Sequence, residues 1–348
     1  MAPHRAAAPA ADPPPAAFAR AAPALLESIP ALMLLAVLLG FGAAAPRFLS
    51  GQNLLNILIQ SASTGVVAIG MTFVLLTGGI DLSVGAVMLL TGGVAAKMAL
   101  AGAPLWEAGV AALLIGAACG AVNGAIVAVL RIHPFIVTLS TLYLVRGLGL
   151  YLTETRAMNL PPGVLQFGSA RLAGIPAPVV LLAVVVVLAH VLLRRASFGL
   201  QVYATGHDAE AARRSGIRTG RVLFGVYIIS GVLAAAGGLI SLAQLGALSP
   251  TFGNQREFAA VAAAVLGGAS LFGGRGTVFP GTVIGAVLVQ TIENGLVIAN
   301  ADPYVYPMVA AAIIFAAVFL DSARLKKIRR LRVRRIRPAT LAQRATDA

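Results

Sequence analysis

The sequence predicts an all-α fold, a polytopic helical membrane protein with about ten transmembrane spans, some of them broken. Three observations predict it. Of the 348 residues, 59% are hydrophobic and only 11% charged, with a mean hydropathy of +0.90, whereas a soluble domain of this size needs a more polar exterior. Apolar runs long enough to cross a hydrocarbon core of about 30 Å recur along most of the chain. The basic residues, finally, fall in the short segments between those runs and at the C-terminus. A formal net charge of +14 on a soluble protein would suggest a nucleic-acid partner. Here its placement follows the positive-inside pattern instead, and no nucleic-acid partner is expected.

Taken in order, residues 1–24 are rich in Ala and Pro (APAADPPPAAF) and read as a disordered cytoplasmic arm. The transmembrane domain is expected at 25–321. Its candidate spans are 25–45, 53–76, 82–100, 106–130, 135–152, 179–193, 222–243, 258–272, 278–298 and 304–320. The AAAP that ends the first span leaves a late signal sequence as its alternative reading. Several spans are short or glycine-rich, which implies breaks and leaves about eight or nine spans open. Ten spans put both termini on one side. Of the 26 basic residues, Arg47, Lys97, Arg156, Arg171 and Arg256 then lie outside, Arg146 lies within a span, and all the others lie inside. Residues 322–348 form a basic cytoplasmic tail. Its core, RLKKIRRLRVRRIRP, reads as an anchor on anionic membrane lipid, worth about 1 kcal/mol per basic residue near the surface. Cys119, the single cysteine, sits in an apolar run and reads as a packing residue.

Within the membrane the most unusual stretch is GMTFVLLTGGIDLSVGAVMLLTGG at 70–93. An apolar helix ends at Thr77, Gly78 and Gly79 break it, and Asp81 and Ser83 precede a new apolar run. Both side chains can cap that run, and Asp81 is equally a candidate for a substrate path or gate. A similar texture, VLGGASLFGGRGTVFPGTVIG at 265–285, hints at an internal repeat and carries Arg275 at its cytoplasmic end. His133-Pro134-Phe135 opens a span at the cytoplasmic side. Thr138, Ser140, Thr141, Tyr143 and Arg146 follow. They are either interhelical hydrogen-bonding groups or the wall of a water-filled path along which a polyhydroxylated solute exchanges hydrogen bonds. Glu293 and Asn294 read in the same two ways, Asp302 and Glu257 as loop or cap residues, and His190 as a packing histidine. The candidate path or gate residues are Asp81, Ser83, Phe135, Thr138, Arg146 and Asn294.

Between 194 and 221 the chain turns polar and basic, with TGHDAEAARRSGIRTGR at 205–221. Asp208 can cap a short helix and Gly216 can stop it. The segment is either an ordinary cytoplasmic loop that fixes topology or a docking helix for a soluble subunit. The chain lacks a Walker A sequence, an HExxH and a Cys/His cluster, so no enzymatic activity, catalytic residue, metal site or bound cofactor is expected of it.

Four stretches together carry a family resemblance: GMTFVLLTGGIDLSVG from Gly70, PFIVTLSTLYLVRG from Pro134, AARRSGI from Ala211, and LGGASLFGGRGTVFPGTVIG from Leu266. They resemble the integral membrane permease of bacterial ABC sugar importers, the ribose type, within the branched-chain amino acid/ribose permease superfamily. The resemblance covers about residues 53–321. It implies a multi-pass permease of the bacterial inner membrane with both termini cytoplasmic, working with a second permease copy as a homodimer. It also implies a periplasmic sugar-binding protein that delivers a monosaccharide, and a separate ATP-binding subunit that holds ATP and Mg and performs the hydrolysis. The loop at 194–221 then resembles the coupling loop, with Gly206, His207, Asp208, Ala211, Ala212, Ser215, Gly216 and Ile217 meeting the ATPase. Asp208 stands where the family usually has Asn, and His207 where a small residue is usual. A branched-chain amino acid permease is the sibling alternative. An ion-coupled secondary transporter would need carboxylates near the midplane, and the spans place Asp81, Glu257, Glu293 and Asp302 nearer their ends.

Overall fold

A computed structural model describes residues 29–302 and, beyond them, 304–306, 308–309, 311–312, 315 and 319. The expected arm and tail, and much of the tenth span, lie outside the described residues. The helices in order are α1 Ile29–Ala44, α2 Gly51–Leu76, α3 Val84–Leu100, α4 Leu105–Ala125, α5 Pro134–Leu152, α6 Pro162–Ser169, α7 Ala177–Arg194, α8 Ser197–His207, α9 Ala209–Arg214, α10 Thr219–Leu245, α11 Arg256–Leu266 and α12 Val283–Ile298. A π-turn, Ile126–Leu130, extends α4, and a second, Val278–Thr282, leads into α12.

The bundle is organised around α2. Every residue from Ser61 to Leu76 is buried, the mark of a helix surrounded by protein on all sides. Around it pack α10, α11, α12 and α7, and α10 packs in turn on α4 and α3. Small residues allow the closest of these crossings. A methyl on Gly120 of α4 would lie 2.2 Å from the Tyr227 carbonyl oxygen of α10, so only glycine permits that approach.

Among the described residues six helices are long and apolar enough to cross a membrane: α2, α4 with its π-turn, α5, α7, α10, and α12 with its π-turn. Two shorter apolar helices, α1 and α3, accompany them. The span expected at 258–272 takes a different form. There α11 has 11 residues, about 16 Å of helix against a core of about 30 Å. It ends at Gly267, and a glycine-rich loop to 277 follows. Hydropathy alone misses this, because the loop residues Ala269, Leu271 and Phe272 are themselves apolar.

The polar segment after α5 is compact. Two-residue strands β1 (Met158–Asn159) and β4 (Ala247–Leu248) pair antiparallel, and β2 (Arg171–Leu172) pairs with β3 (Ile175–Pro176). The first pair brings the connections after α5 and after α10 to one end of the bundle, where Lys97 lies 3.8 Å from Glu154. The connections after α2, α8 and α11 meet at the other end.

One placement differs from the sequence reading. Arg256 and Glu257, expected in an outer loop or cap, open α11 deep in the bundle. The Arg256 guanidinium lies 3.3 Å from Thr64 Oγ1, half-way along α2, and 4.0 Å from Glu293. Glu257 is buried, and its Oε2 would sit 2.4 Å from a methyl on Gly85. The segment from 249 to 255 therefore dips inward before its helix begins, so counting residues from the end of a hydrophobic run misplaces both.

Candidate functional site

Two features dominate one end of the bundle, a short exposed helix and a buried polar chain behind a helix break. The exposed helix is α9. Asp208 Oδ1 accepts from the Glu210 and Ala211 amides, both at 2.9 Å, which satisfies the free N–H groups of the first turn. The far end closes by a Schellman arrangement, with Gly216 N donating to Arg213 O and Ile217 N to Ala212 O at 3.0 Å each. Gly216 has φ +85°, which favours glycine. A helix of six residues is too short to persist alone. Ala212, its one buried residue, holds it to the bundle, while Ala209, Glu210, Ala211, Arg213 and Arg214 face outward. Beside it opens a cleft of about 490 Å³ lined by Gln201, Ser215, Gly216, Ile217, Arg218 and Arg221.

Asp208 is fully exposed, and its carboxyl is held below the usual carboxylate range first by the Ala211 amide and then by that of Glu210, with His207 and Arg214 adding to the effect. Arg214 pairs with Glu210 at 2.5 Å along the same face.

The expected coupling residues divide. Asp208, Ala211, Ser215 and Gly216 are exposed on or beside α9, Ala212 is its underside, and Ile217 is half-buried. Gly206 and His207 belong instead to α8, a helix the sequence reading did not anticipate because SFGLQVYATGH lacks an apolar run. Gly206 points back into the bundle, where a methyl would lie 1.6 Å from the Leu76 carbonyl oxygen.

The buried chain starts at the break between α2 and α3. Asp81 Oδ1 accepts from the Ser83 amide at 3.0 Å and from Ser83 Oγ at 2.6 Å, and Oδ2 accepts from Ser230 Oγ at 2.7 Å. Ser83 Oγ accepts from Asn123 Nδ2 at 2.9 Å, and Thr141 Oγ1 donates to Asn123 Oδ1 at 2.6 Å. All five side chains are buried. The hydrogen bonds all point toward the carboxylate and tie α3 to α4, α5 and α10. Ser83 occupies the cap position of α3 without making a capping bond itself, since its hydroxyl is committed to Asp81.

The other path candidates are dispersed. Thr138 donates to Ile80 O at 3.2 Å. Arg146 Nη2 donates to Pro250 O and Phe252 O at 3.2 and 3.3 Å, strapping down the inward-dipping segment. Phe135 follows the cap His133, whose Nδ1 accepts from the Phe135 amide at 3.3 Å. Asn294 forms a reciprocal amide pair with Asn53 at 2.9 and 3.1 Å, joining α12 to the start of α2. Sequence reasoning singled out Asp81, Ser83 and Thr141 but missed Asn123 and Ser230. Their only signal is a polar residue in the interior of each of two apolar runs. Among the described residues no group of three His, Cys, Asp or Glu side chains could hold a metal ion.

Comparison with known proteins adds the following. Residues 53–318 match the family model described as "Branched-chain amino acid transport system / permease component". The chain is 39% identical over 284 residues to the D-allose transport system permease protein of Escherichia coli strain K12, covering 81% of this chain and 87% of that protein. It is 38% identical over 305 residues to the ribose import permease protein of the same strain, covering 86% and 94%. With the xylose transport system permease protein of Haemophilus influenzae it shares 33% identity over 362 residues, covering 85% and 96%. No solved structure matches.

Proposed function

The chain belongs to the branched-chain amino acid transport system / permease component family, and from that premise we propose that it is the membrane subunit of an ATP-driven importer that moves a monosaccharide. As a permease it is a transport subunit and not an enzyme. The observation that carries the substrate class is its likeness, over most of its length, to permeases named for D-allose, ribose and xylose. In this reading ATP and Mg reside on a separate ATP-binding subunit, a periplasmic binding protein delivers the sugar, and a second copy of the chain completes a homodimer in the inner membrane. In the same reading the α9 end of the bundle faces the cytoplasm, and both termini lie on that side.

Two half-buried guanidiniums among the described residues bear on the amino-acid alternative. A substrate carboxylate wants a free positive group or a helix N-terminus facing its path. Arg146 is committed to two backbone carbonyls, and Arg256 to Thr64 and Glu293. A neutral polyol makes no such demand.

ATP binding would close the partner subunits, draw the two docking helices together and reorient the bundle. The driving energy is the partner's difference in affinity for the two orientations, since equal affinity would shift nothing. The test is co-purification of the chain with the ATP-binding subunit encoded beside it, comparing the native sequence with Gly216→Trp. A side chain at φ +85° strains the cap, so the variant should fold and lose the ATPase. Failure of the native chain to bind any ATPase across lipid conditions would overturn the proposal.

A further inference from the structure

We infer that Tyr203 and Gly206 position a three-way backbone joint through which movement of the docking helix reaches both helix breaks in the bundle. The inference rests on the docking reading above.

Three segments far apart in sequence meet at the joint. The last turn of α8 lies directly on the last carbonyl of α2, since a methyl on Gly206 would sit 1.6 Å from Leu76 O. That same carbonyl accepts from Gly274 N at 2.9 Å, so the loop after α11 is tied to the end of α2. A methyl on Gly273 would lie 2.6 Å from Gly206 O and 3.0 Å from Gly78 N. Tyr203 Oη donates to Gly276 O at 2.8 Å.

No flexible side chain separates these backbones, so little can give when one of them moves. Close-packed interiors pass displacement on rather than absorb it, and sliding of packed helices is a common mode of conformational change. The input side is equally direct. Asp208 is both the C-cap of α8 and the N-cap of α9, so a shift of α9 takes the last turn of α8 with it. On the output side, the first break runs from Leu76 to Asp81 and Ser83, whose hydrogen bonds grip α4, α5 and α10. The second break runs back to α11, which carries Glu257, and forward to α12. One lever thus moves both breaks together.

The test uses the complex with the ATP-binding subunit in lipid nanodiscs, in a Cys119→Ser background with Ile80→Cys as reporter. Ile80 is half-buried in the first break. Its maleimide-labelling rate, with and without ATP plus vanadate, should change at least about fivefold, the lower end for coupled sites. Gly206→Ala and Tyr203→Phe should remove most of that change while the ATPase stays bound. Gly220→Ala, whose methyl meets only ordinary contacts at 3.8 Å, should keep it. If Gly206→Ala does not fold, Tyr203→Phe, which deletes one hydroxyl, decides. The joint lies elsewhere if the labelling change persists undiminished in the variants, or if the parent complex forms and shows none. Absence of ATPase binding to the parent would instead remove the docking reading, and this inference with it.

Discussion

Asp81 and Asp208 perform the same local act in opposite surroundings. Each carboxylate accepts the amide two residues ahead, Ser83 N at 3.0 Å and Glu210 N at 2.9 Å, and each marks the entry to a helix. Asp208 stands in water and adds only one further amide, that of Ala211. Asp81 is 1% exposed and adds the hydroxyls of Ser83 and Ser230, through which Asn123 and Thr141 join. A turn residue in water is a cap. The same residue in a low-dielectric interior becomes the acceptor on which several helices depend, because each buried donor there has no water to replace its partner.

The sharpest way to break that comparison is to truncate both. Asp81→Ala strands the Ser83 and Ser230 hydroxyls in the interior, and removing an acceptor from buried donors while losing bonds to a carboxylate should cost about 3–5 kcal/mol. Thermal melts in detergent would read it. Asp81→Asn keeps one acceptor oxygen and should recover about half of the loss. A melt of Asp81→Ala within about 0.5 kcal/mol of the parent, the range of an ordinary surface change, would put Asp81 on the same footing as Asp208.

Ser230→Ala sharpens the comparison from the other side. It removes a donor to Asp81 and leaves no donor stranded, so about 1–2 kcal/mol is expected, with non-additivity of about 0.5–3 kcal/mol against Asp81→Asn. Additive effects would mean that the chain from Thr141 to Asp81 is a row of separate pairs and not one network.

Which parts of this were readable in advance follows from the range of the signal. The exposed helix α9 was legible because its N-cap, its helix formers and its stopping glycine are all local. The break at Gly78-Gly79 was legible for the same reason. Asn123 and Ser230 were not, since their importance lies in reaching an aspartate on another helix. Helix α8 was missed because its stability comes from packing Val202, Thr205 and Gly206 against the bundle, not from a periodic apolar face. The depth of Glu257 was missed because hydropathy reports where apolar runs begin and end and not whether the connection between two of them dips into the bundle.

The smallest expected effect tests the exposed partner of the pair. Asp208 has its carboxyl lowered, chiefly by the Ala211 amide, so its folded value lies below the unfolded one. A group depressed in this way supports its helix fully above the ordinary carboxylate range near 3.9. That support is lost as pH falls through the lowered folded value. A spin label at Ala211→Cys in the Cys119→Ser background should therefore show constant mobility from neutral pH down to about 4, then loosen. Asp208→Asn caps without titrating, so it should abolish the acid transition while leaving α9 ordered at neutral pH. Asp208→Ala should loosen the label at every pH, by about fivefold in the open population, as loss of one cap implies. Were Asp208→Asn to titrate like the parent, the acid transition would belong to another group. The exposed cap would then owe nothing to its charge, and substituting Asp for Asn at this position would matter only for the proposed docking.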